Sequence, residues 1–483
     1  MPSTRREFTL GLVAAAIVPP GWALVSRRHP AALRELARAC RGPVLAPGDS
    51  GFAGVAHGYD ERYDGRVPRA VLLAEGVGDV QAAVRWAARH GVRIAARSGG
   101  HSYAGYSTPA GGLVVDLRRM RRIARHHANT RVAAGPGVQL GDLYAALAPH
   151  GVTVPAGTCP SVALGGHAQG GGMGLAGRDL GLTCDRVEQL TIVTADGRAR
   201  VASARREPDL YWACRGGGGG NFGIVTSFTL RTAPAGRAAW FFLRWPWSQA
   251  SAALAAWQGF APEAPEALTS VFTLATGGQV TALGQYRGSL AALRRLLGPL
   301  TRVSGASLST GADGWLALQR RWAGCAHLSG SECHTVGTRP GGTLPRADFA
   351  GGSDYFARTL PSAGRAAAIR ALERRGGGSA ALLFDAYGGA INRVKPGATA
   401  FVHRDQRCSI QYLAYGAAGP AAAWVRGARR SLAPWTSGEA YQNYIDPDLA
   451  HWRRAYYGAN LARLEAVKHA VDPDRLFRFA QAI

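Results

Sequence analysis

Lysine is nearly absent from this chain. Lys395 and Lys468 are the only two among 56 basic residues, so arginine carries almost all of a formal net charge of +25, set against 31 acidic residues. The arginines are dispersed with no long basic run, a bias that reads as genome base composition rather than adaptation to a ligand. A nucleic-acid reader needs a basic stripe and a reading motif together. The sequence has neither, and no nucleic-acid partner is expected, although a basic surface attracts anions at low salt. Long apolar runs are missing as well. Residues 11–18 form the best candidate and are too short to cross a bilayer, so stable membrane insertion is not expected. Convincing repeats and low-complexity tracts are absent. So is a G-x-G-x-x-G turn followed by a ribose-binding acid in a βαβ unit, which disfavours an ordinary dinucleotide site. No metal site is expected.

What the chain does have is length and glycine. Its 483 residues, 47% hydrophobic, can bury a sizeable core and suggest more than one domain. Many of the 65 glycines cluster in a few loops. Thr4-Arg5-Arg6-Glu7-Phe8 before a modest apolar stretch resembles a twin-arginine export signal, so residues 1–28 are expected to direct export, with a cytoplasmic protein as the alternative. Seven cysteines is an odd number. Setting one aside for other chemistry leaves Cys40, Cys184, Cys214, Cys325, Cys333 and Cys408, of which Cys325 and Cys333 are close enough to pair across a loop. Connectivity itself cannot be deduced, and the remaining thiols suit buried positions.

Residues 31–41 show helical periodicity that stops at Gly42-Pro43. A strand at Val71 is followed by an amphipathic helix over 77–90, with Asp79 near its start and Gly91 after its end. Short apolar runs at 92–96 and 112–116 read as strands. Between them lies Arg97-Ser98-Gly99-Gly100-His101-Ser102, continuing through Tyr106 to Ser107. Gly99 and Gly100 leave backbone N–H groups uncovered, and successive N–H groups in such a turn make an anion-binding nest. Arg97 and Ser102 add donors suited to phosphate. The loop can therefore grip a pyrophosphate, and it carries a nucleophile, His101. A second glycine-rich run begins at Ala156-Gly157-Thr158-Cys159-Pro160 and continues through Val162, Gly165, Gly166, His167, Gly170 and Gly171. Either run, read by itself, could be no more than a tight turn.

Together these two segments resemble the signature of the berberine bridge enzyme-like family, within the vanillyl-alcohol-oxidase-type flavoproteins. The resemblance extends from residue 31 to the end. It includes a glycine run leading into Asn221-Phe222-Gly223-Ile224-Val225, the pair Asn443-Tyr444, and a closing motif with Tyr457 and Asn460. It implies an α+β chain: a two-subdomain FAD-binding domain over 29–235, an antiparallel-sheet substrate domain with helices on one face over 236–444, and a C-terminal return to the FAD-binding domain over 445–483, expected to be helical from residue 449.

The resemblance also implies the chemistry. FAD would be joined covalently through His101 and Cys159, and bound besides by Arg97, Ser98, Gly99, Gly100, Ser102, Tyr106, Thr158, Val162, Gly165, Gly166, His167, Gly170, Gly171, Gly223, Ile224, Val225, Asn443, Tyr457 and Asn460. For His167, a bond to the cofactor or its loop and a satisfied core position stand side by side. Tyr444 would be the catalytic base, Gln411 its neighbour, and Tyr387 a substrate-orienting residue. Ser409 stands where plant-type members often carry lysine, which removes a cation that would help ionise a tyrosine. Asp385 reads equally as a supporting acid or as a strand end. Val162 leaves room for oxygen, which points to an oxidase making hydrogen peroxide. The expected reaction removes hydride from an alcohol carbon of a carbohydrate or glycosylated small molecule, with O2 as acceptor. An oxidative cyclase or dehydrogenase acting on an alkaloid or polyketide is the alternative. Oligomeric state is open.

Overall fold

The computed structural model describes residues 29–126 and 128–483; the twin-arginine segment lies outside the described residues. Two main sheets dominate the N-terminal half. The first has four strands in the order Val44–Leu45, Ala70–Leu73, Leu113–Asp116 and Ile94–Arg97, the last three mutually parallel. Helices Ala31–Ala39 and Val77–Arg89 pack on it through Leu33, Leu36, Val80, Val84 and Trp86. Asp79 does more than favour the helix start. Its buried carboxylate accepts from the backbone N–H groups of Arg41, Gly42 and Glu75, tying three chain segments together.

The second sheet has five strands, Ile123–His126, Arg131–Ala134, Ile224–Arg231, Val187–Val193 and Ala199–Ser203, all antiparallel. Its core includes Val132, Leu190, Ile192, Phe228 and Leu230, together with Leu464 and Val467 from the C-terminal helix Leu461–Val471. The C-terminal tail is helical over Trp452–Tyr457 and Leu461–Val471, with a 3-10 turn at Gly458–Asn460 between them. Beyond that, Asp472 ends the regular structure by accepting from the N–H groups of Leu476 and Phe477 and from Lys468 Nζ, so the expected helix over the final residues is not formed.

A seven-stranded antiparallel sheet forms the second half, in the order Ser307–Gly314, Arg237–Trp245, Gln279–Tyr286, Leu268–Ala275, Ala380–Ala386, Cys408–Tyr415 and Phe349–Phe356. Helices Ala250–Phe260, Ser362–Glu373 and Ala418–Leu432 cover one face. The two-residue period of a strand decides what each face does. Phe272, Leu274, Leu382, Phe384, Ile410 and Tyr412 point into the core under the helices. Their neighbours Val271, Thr273, Leu383, Asp385, Gln411 and Leu413 point the other way, into a cavity. Between the strands Ser307–Gly314 and Phe349–Phe356, residues 323–348 run as a long irregular segment, and Cys325 and Cys333 are joined there as a disulfide.

Arg178, on the short helix Gly177–Leu180, joins the halves. Its guanidinium donates to the carbonyls of Tyr387, Leu268, Pro262 and Ala264, and burial lowers its pKa to about 10.

Candidate active site

A cavity of about 920 Å³ lies between the open face of the seven-stranded sheet and the two glycine-rich loops. It is at the upper end of roughly 300–1,000 Å³ for small-molecule and cofactor sites. His101, Cys159, Ser98, Gly99, Gly100, Ser102, Tyr106, Thr158, Val162, Gly166, His167, Gly223, Val225, Asn443, Tyr444, Tyr457 and Gln411 all line it. The sequence separates these residues by up to 359 positions, and the fold brings them to one space.

The first loop has the predicted nest. Among the described residues, no backbone N–H from Gly99 through Tyr103 finds a hydrogen-bond partner, and Gly100 takes a φ of +74°. Gly99 is glycine for a different reason: a Cβ there would come within 2.7 Å of the Ala163 nitrogen, because the two loops touch. Ser102 accepts from the Tyr106 N–H and so braces its own loop. Tyr106 packs against Phe479, which belongs to the tail segment 478–480 of the cavity wall, a contribution no sequence motif announced.

Arg97 does not serve a phosphate. It is only 2% exposed, donates to Asp116, Thr108 and the carbonyls of Val55 and Ala56, and lies behind the cavity wall. Burial alone would raise the Asp116 carboxyl, but Arg97 and Arg118 together hold it below the ordinary carboxylate range. The arginine thus anchors the loop's first strand. Gly165, Gly170, Gly171, Ile224, Tyr387 and Asn460 also lie outside the wall, and packing explains each. A Cβ on Gly165 would collide with Ser98 Oγ, one on Gly170 with the Asn443 amide, and one on Gly171 with Phe401. Ile224 is core. Asn460 donates to the carbonyls of Pro396, Thr399 and Ala400. Tyr387 is fully buried, its hydroxyl bonded to that of Tyr355 at 3.0 Å.

His167 faces the cavity, but its Nε2 accepts from the Gly157 N–H at 3.0 Å, and burial lowers its pKa to about 4. It is a neutral acceptor that fixes the approach to Cys159. His101 is likewise neutral at pH 7, burial lowering its pKa to about 4, and its ring stacks on Tyr59 at 4.2 Å. A neutral imidazole keeps a nucleophilic lone pair. Cys159 has its side chain on the exposed side of its loop, facing the same space.

At the roof, Tyr444 sits at the end of a short turn, Gln442–Tyr444, edge-on to Tyr441 at 4.9 Å and stacked on Tyr103 at 5.4 Å. Gln411 donates to the Tyr103 hydroxyl at 2.6 Å, not to Tyr444. Tyr103 was legible in the sequence only as a loop residue. It is the floor on which Tyr444 rests. Burial, and then the neighbouring Asp385, push the Tyr444 phenol well above its ordinary value. Nothing here makes it a phenolate. Asp385 is the second group that sequence reasoning left undecided. Burial raises its carboxyl to about 7, with Ser409 Oγ donating to it at 3.4 Å. The serine at the unexpected position therefore serves the aspartate.

Family models match an FAD binding domain over residues 68–203 and a domain described as berberine and berberine like over 440–483. The FAD-linked oxidoreductase YgaK of Bacillus subtilis is 34% identical over 86% of this chain and 91% of its own length. The chain belongs to the berberine bridge enzyme-like family. It is an FAD-linked oxidoreductase. Chitooligosaccharide oxidase of Gibberella zeae is 32% identical over 86% of this chain and 87% of its own. The solved structure of Physcomitrella patens BBE-like 1 superposes with a TM-score of 0.88 at 31% identity, covering 94% of this chain and 99% of that one. The family's cofactor fits what is built here: a run of open N–H donors for the pyrophosphate, glycines where backbone must come close, and a cavity long enough to reach from Phe479 to Asp385.

Proposed function

We propose that this enzyme oxidises an alcohol carbon of a carbohydrate or glycosylated small molecule, passes the electrons to O2 as hydrogen peroxide, and holds FAD covalently through His101 and Cys159. The observation that carries the reading is the convergence of Asp385 and Tyr444 on the same cavity as both attachment residues. The flavin, when bound, supplies the hydride acceptor. The protein's part is the hydroxyl proton. A buried neutral phenol at Tyr444 positions the substrate hydroxyl, and Asp385, whose carboxyl burial raises to about 7, takes the proton on its carboxylate. Gln411 and Tyr103 keep Tyr444 in place. Tyr415, Trp322 and Phe349 line the same cavity together with Thr269 and Thr273, a mixture of ring faces and hydroxyls suited to the apolar face and polar edge of a sugar. Relatives named for chitooligosaccharide and xylooligosaccharide oxidation support that substrate class.

The test is a peroxide-coupled screen of oligosaccharides beside alkaloid and polyketide alcohols, run with mass analysis of denatured protein. Turnover of sugars with peroxide release supports the proposal. Turnover confined to the second set, with ring closure, replaces it by the cyclase reading. Val162→Leu gives a separate readout: we expect reoxidation by O2 to slow while turnover with an artificial electron acceptor persists, because the added methylene fills space at the cavity wall. Export by the twin-arginine route belongs to the same proposal, and Arg5→Lys with Arg6→Lys should leave the enzyme in the cytoplasm on fractionation.

A further inference from the structure

Ser161 lies two residues after Cys159, outside the cavity wall and 1% exposed. Its hydroxyl touches both attachment residues and one more group: His101 Nε2 at 3.1 Å, Cys159 Sγ at 3.8 Å, and Thr335 Oγ1 at 2.8 Å. A serine hydroxyl has one hydrogen to give and can accept two. Thr335 donates to it, which takes one acceptor position. With the serine hydrogen directed at Cys159 Sγ, the remaining position accepts from His101 Nε2–H. The neutral imidazole then carries its proton on Nε2 and its lone pair on Nδ1, and the one side-chain hydrogen bond of the ring among the described residues is at Nε2, with the Ser161 backbone as a further neighbour.

Thr335 comes from the irregular segment of the substrate domain, and that segment is anchored firmly. The Cys325–Cys333 disulfide closes one end. His334 and Arg339 pair with Asp142, and Arg346 pairs with Asp64. Ala347 exchanges backbone hydrogen bonds with Tyr59 and Glu61, and the Tyr59 ring is the one stacked on His101. The imidazole is therefore held on its face and on its Nε2 edge by the same strap.

We infer that Ser161, oriented by Thr335, is the positioning residue for flavin attachment, setting the His101 tautomer with a free Nδ1 and hydrogen-bonding the Cys159 sulfur. The inference rests on the attachment reading above. Each attachment joins the residue to the flavin ring system with loss of one hydrogen from the residue and one from the flavin. Those two protons and two electrons reduce the ring, and O2 recovers it by leaving as hydrogen peroxide. The serine is not consumed. Its part is to keep Nδ1 unprotonated and to stabilise the thiolate that attacks.

The test compares purified wild type, Ser161→Ala, Ser161→Thr and Thr335→Val, with thermal unfolding as the folding control. Each protein is denatured, the released flavin is measured, and the peptides carrying His101 and Cys159 are weighed. Wild type should release none. Ser161→Ala should bind FAD but release most of it, with both peptides largely unmodified. Ser161→Thr should restore attachment, and Thr335→Val should lose it in the same direction. Thr335→Val reads the contact even if Ser161→Ala yields no folded protein. Full attachment in a folded Ser161→Ala protein would overturn the role of Ser161 alone. Complete release from wild type would overturn the attachment reading, and this inference with it.

Discussion

Replacing Tyr444 with phenylalanine is expected to lower kcat by about 10²-fold, the scale of the loss when a substrate's reacting group is misplaced, while the protein keeps its flavin. The ring stays in its stack with Tyr103 and its edge contact with Tyr441, so packing changes little. Only the hydroxyl is lost. KM should move less than kcat, because a misplaced hydroxyl costs more in the transition state than in substrate binding. Steady-state kinetics on a turned-over sugar, with absorbance of the bound flavin as control, checks both points. An unchanged kcat would reduce Tyr444 to a packed aromatic. A fall in Gln411→Ala that resembles the Tyr444→Phe loss would show that the Tyr103 hydroxyl, which Gln411 holds, matters to the chemistry as well as the stacking.

Asp385→Asn should bring the second large effect, on activity and stability in opposite directions. The asparagine cannot take up the proton, so kcat at pH 7 should fall by about 10²-fold or more, and the rise in kcat through about pH 7 expected of the wild type should be absent. Stability follows from the same carboxyl. Its pKa in the folded protein is raised from 3.8 to about 7 by burial. Between those values the Asp385 carboxyl binds more protons in the folded state than in the unfolded chain, so its contribution to stability falls as pH rises from about 4 to about 7 and then levels off. Asparagine removes that slope. The variant should unfold at a higher temperature than wild type at pH 8 and at a similar one at pH 4. Melting curves across this range, beside the kinetic profile, test the assignment, and parallel slopes in the two proteins would refute it. A group that costs stability when ionised, kept at the cavity wall, is what a catalytic acid or base in a buried site entails.

The family, the two glycine-rich loops and the proposed attachment pair were legible in the sequence because they are local. A nest of N–H groups depends on consecutive glycines, and a motif keeps its spacing wherever the chain goes. Strand alternation was legible in principle too, since one residue in two along 380–386 and 408–415 must face away from the helices. What the alternation could not say is which strands lie side by side. Asp385 and Ser409 meet because Ala380–Ala386 pairs with Cys408–Tyr415 in a register that sets those two residues opposite each other. Gln411 reaches Tyr103, 308 residues away, only because the sheet lies over the first loop.

Arginine shows the same division from the other side. The motif marks Arg97 as a donor beside a phosphate loop, and its chemistry would suit that task. The fold buries it against Asp116, because a guanidinium with its donors filled by protein acceptors has none left for a ligand. The Ser161–Thr335 contact spans 174 residues and joins a glycine-rich loop to the irregular segment after the strand Ser307–Gly314, and no periodicity or motif connects them. By itself, then, the sequence determined that this is a flavin-binding chain of one family, with His101 and Cys159 on two adjoining glycine-rich loops. Only the tertiary structure decided which acids, tyrosines and hydroxyls stand around them, because hydrogen bonding and burial, which tune those groups, are properties of neighbours that the chain brings from far away.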